Sequence, residues 1–126
     1  MRATLLLLLL LSGCSSGIAP GKLPGEYLAE FTFAREKLEL FANGNYRQTI
    51  TVREQQVVHE GAWKYLQSGG TVVLETPLLV DDPFGRFNSD YRIPAKGSWY
   101  LSVEQWIGPI TLNWNDDAGV RFSKVR

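Results

Sequence analysis

Apolar and polar side chains alternate with a period of two along most of the chain after Gly25. In the segment 45–52, one face carries Tyr46, Gln48 and Ile50, and the residues between them are polar. This alternation is typical of antiparallel strands with one face toward a core and the other toward water. The pattern predicts about eight strands, over 26–33, 36–41, 45–52, 57–66, 71–75, 97–104, 109–114 and 119–124.

Turn-forming residues separate these runs. Asn43-Gly44, Ser68-Gly69-Gly70 and Gly108-Pro109 supply the backbone angles that tight turns require. We therefore predict an all-β domain, an antiparallel meander that closes as a small barrel or folds as a flattened barrel or sandwich. The first strand is the weakest of the eight, because 27–31 also fits one or two helical turns.

One connection is longer than the others and runs from Thr76 to Lys96. Connections beyond about 12–15 residues are uncommon in small domains unless they have a function or are disordered. This one holds five bulky residues, which argue against disorder: Leu78, Leu79, Phe84, Phe87 and Tyr91. We expect it to fold over one end of the sheet as a lid or plug.

The N-terminus has the three parts of a secretory signal. Arg2 is followed by an unbroken run of leucines, Leu5–Leu11, and then by the small residues Ser12 and Gly13. The apolar run is far shorter than the roughly 20 residues of a membrane-spanning helix. Together with the cysteine that follows, it predicts a signal segment over 1–13 that is removed from the mature protein.

The motif Leu11-Ser12-Gly13-Cys14 resembles the lipobox of bacterial lipoproteins at all four positions. The resemblance implies cleavage between Gly13 and Cys14 and acylation of Cys14, which anchors the chain to a membrane. Residues 14–24 then form the lipidated cysteine and a tether, and 25–126 the single all-β domain. Ser15, where an aspartate tends to retain such proteins at the inner membrane, implies an outer-membrane protein facing the periplasm if the source is Gram-negative.

A second resemblance covers roughly residues 25–75. The series Gly25-Glu26-Tyr27, Leu38–Tyr46, Gly61-Ala62-Trp63 and Val72-Val73-Leu74 is similar to the rhythm of small lipocalin-like barrels in envelope lipoproteins. The copper-homeostasis and envelope-stress lipoproteins carry such a domain. That family also has a Cys-x-x-Cys pair, which this chain lacks, so the resemblance implies a lipocalin-like barrel in the cell envelope and does not extend to copper binding.

Composition excludes several functions. The 13 basic and 13 acidic side chains balance, so no basic surface is expected and we predict no nucleic-acid partner. One Cys and one His cannot make an ordinary structural zinc site. Asn113, Asn115 and Asp117 alternate as in a calcium loop, but Ala118 and Lys124 stand where that loop needs Gly and Glu. We predict neither metal nor cofactor.

Catalytic candidates are few. His59 adjoins Glu60, but neighbours on a strand point to opposite faces, so we expect a surface histidine rather than an acid–base pair. Asp81 and Asp82 precede Pro83 and suit a turn. No Ser or Cys stands in the context of a nucleophile elbow, which is a sharp turn from a strand into a helix. A hydrolase-like enzyme using His59, Asp81 or Asp82 is the weakest functional hypothesis, and a non-catalytic protein is our prediction.

Binding is the remaining class of function. Tyr100 and Trp106 fall on the face opposite Trp99, Leu101 and Val103, where they can form an aromatic contact patch. Alternatively, Trp106 tucks under the turn that follows it. The long connection supplies a second set of candidates, which form either a partner-facing rim or a lid with internal ion pairs: Asp81, Asp82, Arg86, Asp90, Tyr91 and Arg92.

The prediction is therefore a lipid-anchored module that binds an envelope protein. The alternative is a binder of an apolar or sugar-like small molecule at the barrel mouth, under the 76–96 connection. A small-molecule carrier needs a cavity lined by apolar side chains, whereas a protein-binding module has a filled core and exposed aromatic side chains. An enzyme needs clustered carboxylates or His59 in a cleft with shifted pKa values.

Overall fold

The alternating segments form a closed barrel of eight antiparallel strands, in which each strand pairs with the next and the last pairs with the first. The computed structural model describes residues 17–31, 34–80, 94–115 and 120–126. The strands are β1 (Gly25–Glu30), β2 (Ala34–Leu40), β3 (Asn45–Val52), β4 (Gln55–Leu66), β5 (Thr71–Glu75), β6 (Ser98–Glu104), β7 (Thr111–Asn115) and β8 (Val120–Lys124). The predicted all-β meander is confirmed, and of the alternatives it is the barrel that forms.

The first two strands differ in detail from the prediction. Residues 27–30 belong to β1 and not to a helical turn, because Tyr27 and Ala29 point into the barrel and are buried. β2 begins two residues earlier than predicted, at Ala34. Its inward row therefore includes Glu36, which is buried beside the leucines that follow it at period two.

The loops divide between two ends of the barrel, because successive strands run in opposite directions. The end that we call the proximal end carries the N-terminal segment 17–24, the turns 41–44 and 67–70, the loop 105–110 and the residues after β8. The opposite end, the distal end, carries the turn 53–54 and the residues 76–80 that leave β5.

Two tyrosines fill much of the interior. Tyr27 and Tyr46 are fully buried, and their hydroxyl groups donate to the backbone carbonyls of Leu23 at 2.6 Å and Glu75 at 2.5 Å. Burial raises the pKa of both phenols well above their usual range. Side chains of this size suit an eight-stranded barrel, whose interior is just wide enough for them.

The segment from Ile18 to Leu23 closes the proximal end. We predicted a tether over 14–24, but Ile18 and Leu23 are buried in the main core cluster. Tyr65 donates from its hydroxyl to the Ile18 carbonyl at 3.0 Å, and the Lys124 ammonium donates to the Lys22 carbonyl at 2.6 Å. This part of the chain is therefore structural, because two apolar side chains fill an opening that the strands leave.

The start of the long connection closes the distal end. Leu78 and Val80 are buried and pack against Ala34 and Ile50. This agrees with the expectation that the 76–96 connection folds over one end of the sheet. Its residues 81–93 lie outside the described part of the chain.

Candidate functional site

Tyr100 stands exposed on the barrel wall. It lies in the middle of β6 on the outward row, and 58% of its surface is accessible. Its neighbours along that row, Ser98 and Ser102, are short, so they leave the ring open to solvent. Across the sheet it pairs with Val73, which is itself buried. The sequence prediction placed Tyr100 on this face correctly.

Trp106 is also exposed, but at a different place. It lies in the loop 105–110 beyond the end of β6, with 90% of its surface accessible, and the adjoining Ile107 is fully exposed. The alternative that Trp106 tucks under the following turn does not occur. Gln105 spans the loop by donating to the Gly108 carbonyl at 3.2 Å. Tyr100 and Trp106 therefore lie at different places, Tyr100 on the barrel wall and Trp106 in the loop at the proximal end.

The other predicted binding residues lie outside the described part of the chain, and so do the predicted cleavage site and lipidation site. These are Asp81, Asp82, Arg86, Asp90, Tyr91 and Arg92 in the long connection, and Gly13 and Cys14 at the N-terminus.

His59 is held by the backbone. Its Nε2–H donates to the Thr76 carbonyl at 2.9 Å, and its ring centre lies 6.0 Å from that of Tyr46. The side chain is partly exposed and lies in the inward row of β4, opposite Gln48. Glu60 points outward, where it pairs with Arg47 at 3.0 Å. The two neighbours therefore do not interact with each other as an acid–base pair.

Asn113 has a structural environment. It is buried, its amide nitrogen donates to Glu104 at 2.8 Å, and its amide oxygen accepts from Arg121 at 3.0 Å. Both polar atoms of the side chain are thus hydrogen-bonded to residues of the two neighbouring strands, β6 and β8. Among the described residues, no three His, Cys, Asp or Glu side chains come together as a metal site would require.

The interior holds a polar pair that the sequence analysis did not single out. Gln48 donates from Nε2 to the Glu36 carboxyl at 2.5 Å and to the Leu78 carbonyl at 3.0 Å, and its Oε1 accepts from the Leu78 amide at 2.8 Å. Gln48 therefore links the buried acid on β2 to the segment that closes the distal end. The sequence did contain a signal for the buried position of Glu36. The alternation that places Leu38 and Leu40 on the inward face also places Glu36 there when it is extended by two residues toward the N-terminus.

Burial changes the protonation of Glu36. Its carboxyl group is shut inside the barrel, and this raises its pKa to about 8, although the hydrogen bond from Gln48 acts in the opposite direction. At neutral pH most of the protein therefore holds Glu36 as an uncharged acid. A neutral carboxyl group with an amide partner is a far less costly buried arrangement than an unpaired carboxylate.

The cavity beside this pair is small. It measures about 40 Å³ and is bounded by Glu36, Gln48 and residues 77–80 of the segment that closes the distal end. Aromatic side chains also line it, among them Trp99 and Trp114, whose ring centres are 4.4 Å apart. A water needs roughly 10–15 Å³ of such space, whereas ligand pockets measure roughly 300–1,000 Å³. This cavity therefore has room for a few waters and not for a small-molecule ligand.

Two wider depressions are open to solvent. One, of about 500 Å³, lies beside the β2–β3 hairpin, where Arg47 pairs with Glu60 and lies over the Phe41 ring at 5.4 Å. The other, of about 490 Å³, lies at the distal rim and is lined by Glu30, Phe31, Ala34, Arg35, Thr51, Arg53 and Gln56. Both volumes fall within the range of ligand pockets, but both depressions are open to solvent rather than enclosed.

Within the described ranges, no helix is both long enough and apolar enough to cross a membrane. Comparisons with protein-family models, curated proteins and solved structures found no match.

Proposed function

We propose that the protein is a lipid-anchored, non-catalytic module of the bacterial cell envelope that binds a protein partner with the outer surface of its barrel. In a Gram-negative cell it is held at the outer membrane and faces the periplasm. The observation that carries the proposal is the cavity beside Glu36 and Gln48, which is bounded by described residues and, at about 40 Å³, is too small to enclose a ligand. Recognition is therefore assigned to the outside of the barrel.

Tyr100 is the residue that best fits a protein contact. Tyrosine is enriched at the energetic centres of protein interfaces because it offers a large contact area and a hydroxyl group at low entropic cost. Here the ring rises from a rigid strand between two serines. Such a site needs little ordering when a partner binds, which favours affinity.

A site-specific crosslinking experiment tests the partner. A photoreactive amino acid at position 100, in intact cells, is expected to give one adduct of defined mass, identified by mass spectrometry. Val58 is the matched control, because it is 57% exposed, against 58% for Tyr100, on the outward row of another strand. With the purified partner, Tyr100→Ala should weaken binding by about tenfold or more. Equal crosslinking from both positions, or unchanged affinity, would refute this surface.

Metabolic labelling with a radioactive or clickable palmitate tests the anchor. The wild-type chain is expected to carry the label and to sediment with membranes, and Cys14→Ser should lose both, because a protein without acyl chains has no hold on the bilayer. Ser15→Asp is the matched control and should keep the label; in a Gram-negative cell it should shift the protein to the inner membrane. A wild-type protein without label contradicts the anchor.

The small-molecule alternative has one supporting observation. The depression at the distal rim combines the Phe31 ring with Arg35, Arg53 and Gln56, a mixture of apolar and polar groups that suits a sugar-like molecule. Native mass spectrometry of protein purified from its own envelope distinguishes the two proposals. A bound small molecule that is lost with Arg53→Ala would favour the alternative.

A hydrolase-like activity has weaker support, because the His59 ring is already hydrogen-bonded to the Thr76 carbonyl.

A further inference from the structure

We propose that the proximal end of the barrel rests on the lipid surface, with Trp106 and Ile107 inserted into the headgroup region as a second membrane contact. The inference rests on the proposed anchoring through Cys14 and adds the orientation of the barrel on the membrane. Three independent observations support it, namely the distribution of exposed apolar side chains, the length of chain before Ile18, and the charges at that end.

Among the residues that the structure describes, exposed apolar side chains are concentrated at the proximal end. In the part of the chain that the structure describes, six large apolar side chains are exposed, and four of them lie there: Leu66, Trp106, Ile107 and Val125. The other two, Val58 and Tyr100, lie apart from each other on the barrel wall. Ile107 and Trp106 are the two most exposed of these six, at 100% and 90%.

The chain length before the barrel places this end near the bilayer. Ile18 is buried in the core and its carbonyl accepts from Tyr65, so its position is fixed. Only four residue steps separate it from Cys14, and four steps of extended chain span at most roughly 14 Å. An acylated Cys14 therefore holds the proximal end within that distance of its lipid. The occupant best placed to cover Trp106 and Ile107 is the membrane itself.

The chemistry of the proximal end suits an anionic lipid surface. Tryptophan is enriched at the membrane–water interface because its ring is both apolar and polar. Basic side chains stand at the same end, with Lys22 before β1 and Lys124 and Arg126 at and after the end of β8. The acids at this end have partners. Glu26 is paired with Arg126 and with Lys37, each at 3.4 Å, Glu39 is paired with Lys37 at 3.7 Å, and Glu104 accepts from the Asn113 amide at 2.8 Å. Basic groups close to a bilayer are attracted to acidic headgroups.

A fluorescent reporter tests this contact in the full-length lipidated protein. Acylation occupies Cys14, the only cysteine, so Ile107→Cys or Val58→Cys introduces a single free thiol for an environment-sensitive dye. Each protein is reconstituted in vesicles of phosphatidylethanolamine and phosphatidylglycerol. Dye at position 107 is expected to shift its emission to shorter wavelength and to lose at least half its intensity when the lipids carry a quencher near the headgroup. Dye at position 58 should behave as in water.

A second measurement uses the protein's own tryptophan fluorescence. The Trp106→Ser variant retains Ile107 and carries no dye. In this variant, brominated lipid should quench less of the total tryptophan fluorescence than in the wild type. The reason is that the remaining three tryptophans lie on the barrel strands. Unfolding of the variant would show as a change of its circular dichroism, which separates a folding defect from loss of lipid contact.

The outcomes separate the two proposals. A palmitate-labelled protein in which position 107 reports water overturns membrane docking and leaves the anchor intact. If Cys14 carries no acyl chain, both proposals fall. If the dye at position 107 is shielded only at high protein density or only when envelope proteins are added, a second copy or a protein partner covers the loop, and the lipid assignment is wrong.

Discussion

Raising the pH from 5 to 9 is expected to lower the free energy of unfolding by on the order of 3–5 kcal/mol. In the Glu36→Gln variant, most of that loss of stability should disappear. Burial holds the pKa of Glu36 at about 8 in the folded protein, against 4.5 when it is unperturbed. The unfolded chain therefore releases this proton first. The stabilisation that the protonated Glu36 contributes is fully present below pH 4.5. It decreases as the pH rises above that value and is lost once the pH has passed 8.

Urea unfolding followed by tryptophan fluorescence at pH 5, 7 and 9 measures this effect. In Glu36→Gln the new amide oxygen can still accept from Gln48, so the network to Leu78 is preserved while the titrating group is removed. Glu30→Gln is the control, because Glu30 is an exposed carboxylate on the neighbouring strand. A pH dependence in Glu36→Gln as steep as in the wild type and in Glu30→Gln would refute the assignment to Glu36.

Gly61→Ala is expected to cost about 2–3 kcal/mol of stability. Gly61 lies opposite Tyr46 in the sheet, and a Cβ there would be 2.6 Å from three atoms of the Tyr46 side chain. Tyr46 has no space to retreat, because it is fully buried and its hydroxyl is bonded to the Glu75 carbonyl. The added methyl group must therefore displace the ring or the strand.

Gly69→Ala is the matched control for this prediction. It is the same chemical change, but the nearest atom to its Cβ, the Thr71 hydroxyl oxygen, is 3.6 Å away, an ordinary contact. Urea midpoints of the two variants, measured under the same conditions, compare them directly. Equal midpoints would mean that Tyr46 can adapt and that the close approach of Gly61 is not required.

The barrel was predictable from the sequence because alternation and turn residues are local signals. The inward position of Gln48 followed from the same rule, and so did the outward position of Tyr100. Trp106 was placed on the face of Tyr100 because the alternation was extended past Glu104, where the strand ends. Period-two reasoning holds only while a strand lasts, and the loop sends Trp106 beyond the barrel.

The parts that the sequence did not predict depend on contacts between distant residues. Gln48 and Leu78 are 30 residues apart, and their bond depends on where the chain turns after β5. Ile18 and Leu23 show no periodic pattern, so nothing local marks them as core residues. Glu36 was within reach of the pattern, but a glutamate at the start of a predicted strand is normally assigned to solvent.

The seam between β1 and β8 has a consequence for the order of folding. The two strands pair through Tyr27 with Lys124 and Leu28 with Ser123, and the bond from Lys124 to Lys22 joins residues 102 apart in the chain. Contacts of such long range form late and slow the search for the native state. While the chain emerges from its N-terminus, one edge of β1 can pair with β2, but the other edge stays unpaired until β8 is available. During that interval the free edge is prone to aggregation, so the chain needs protection.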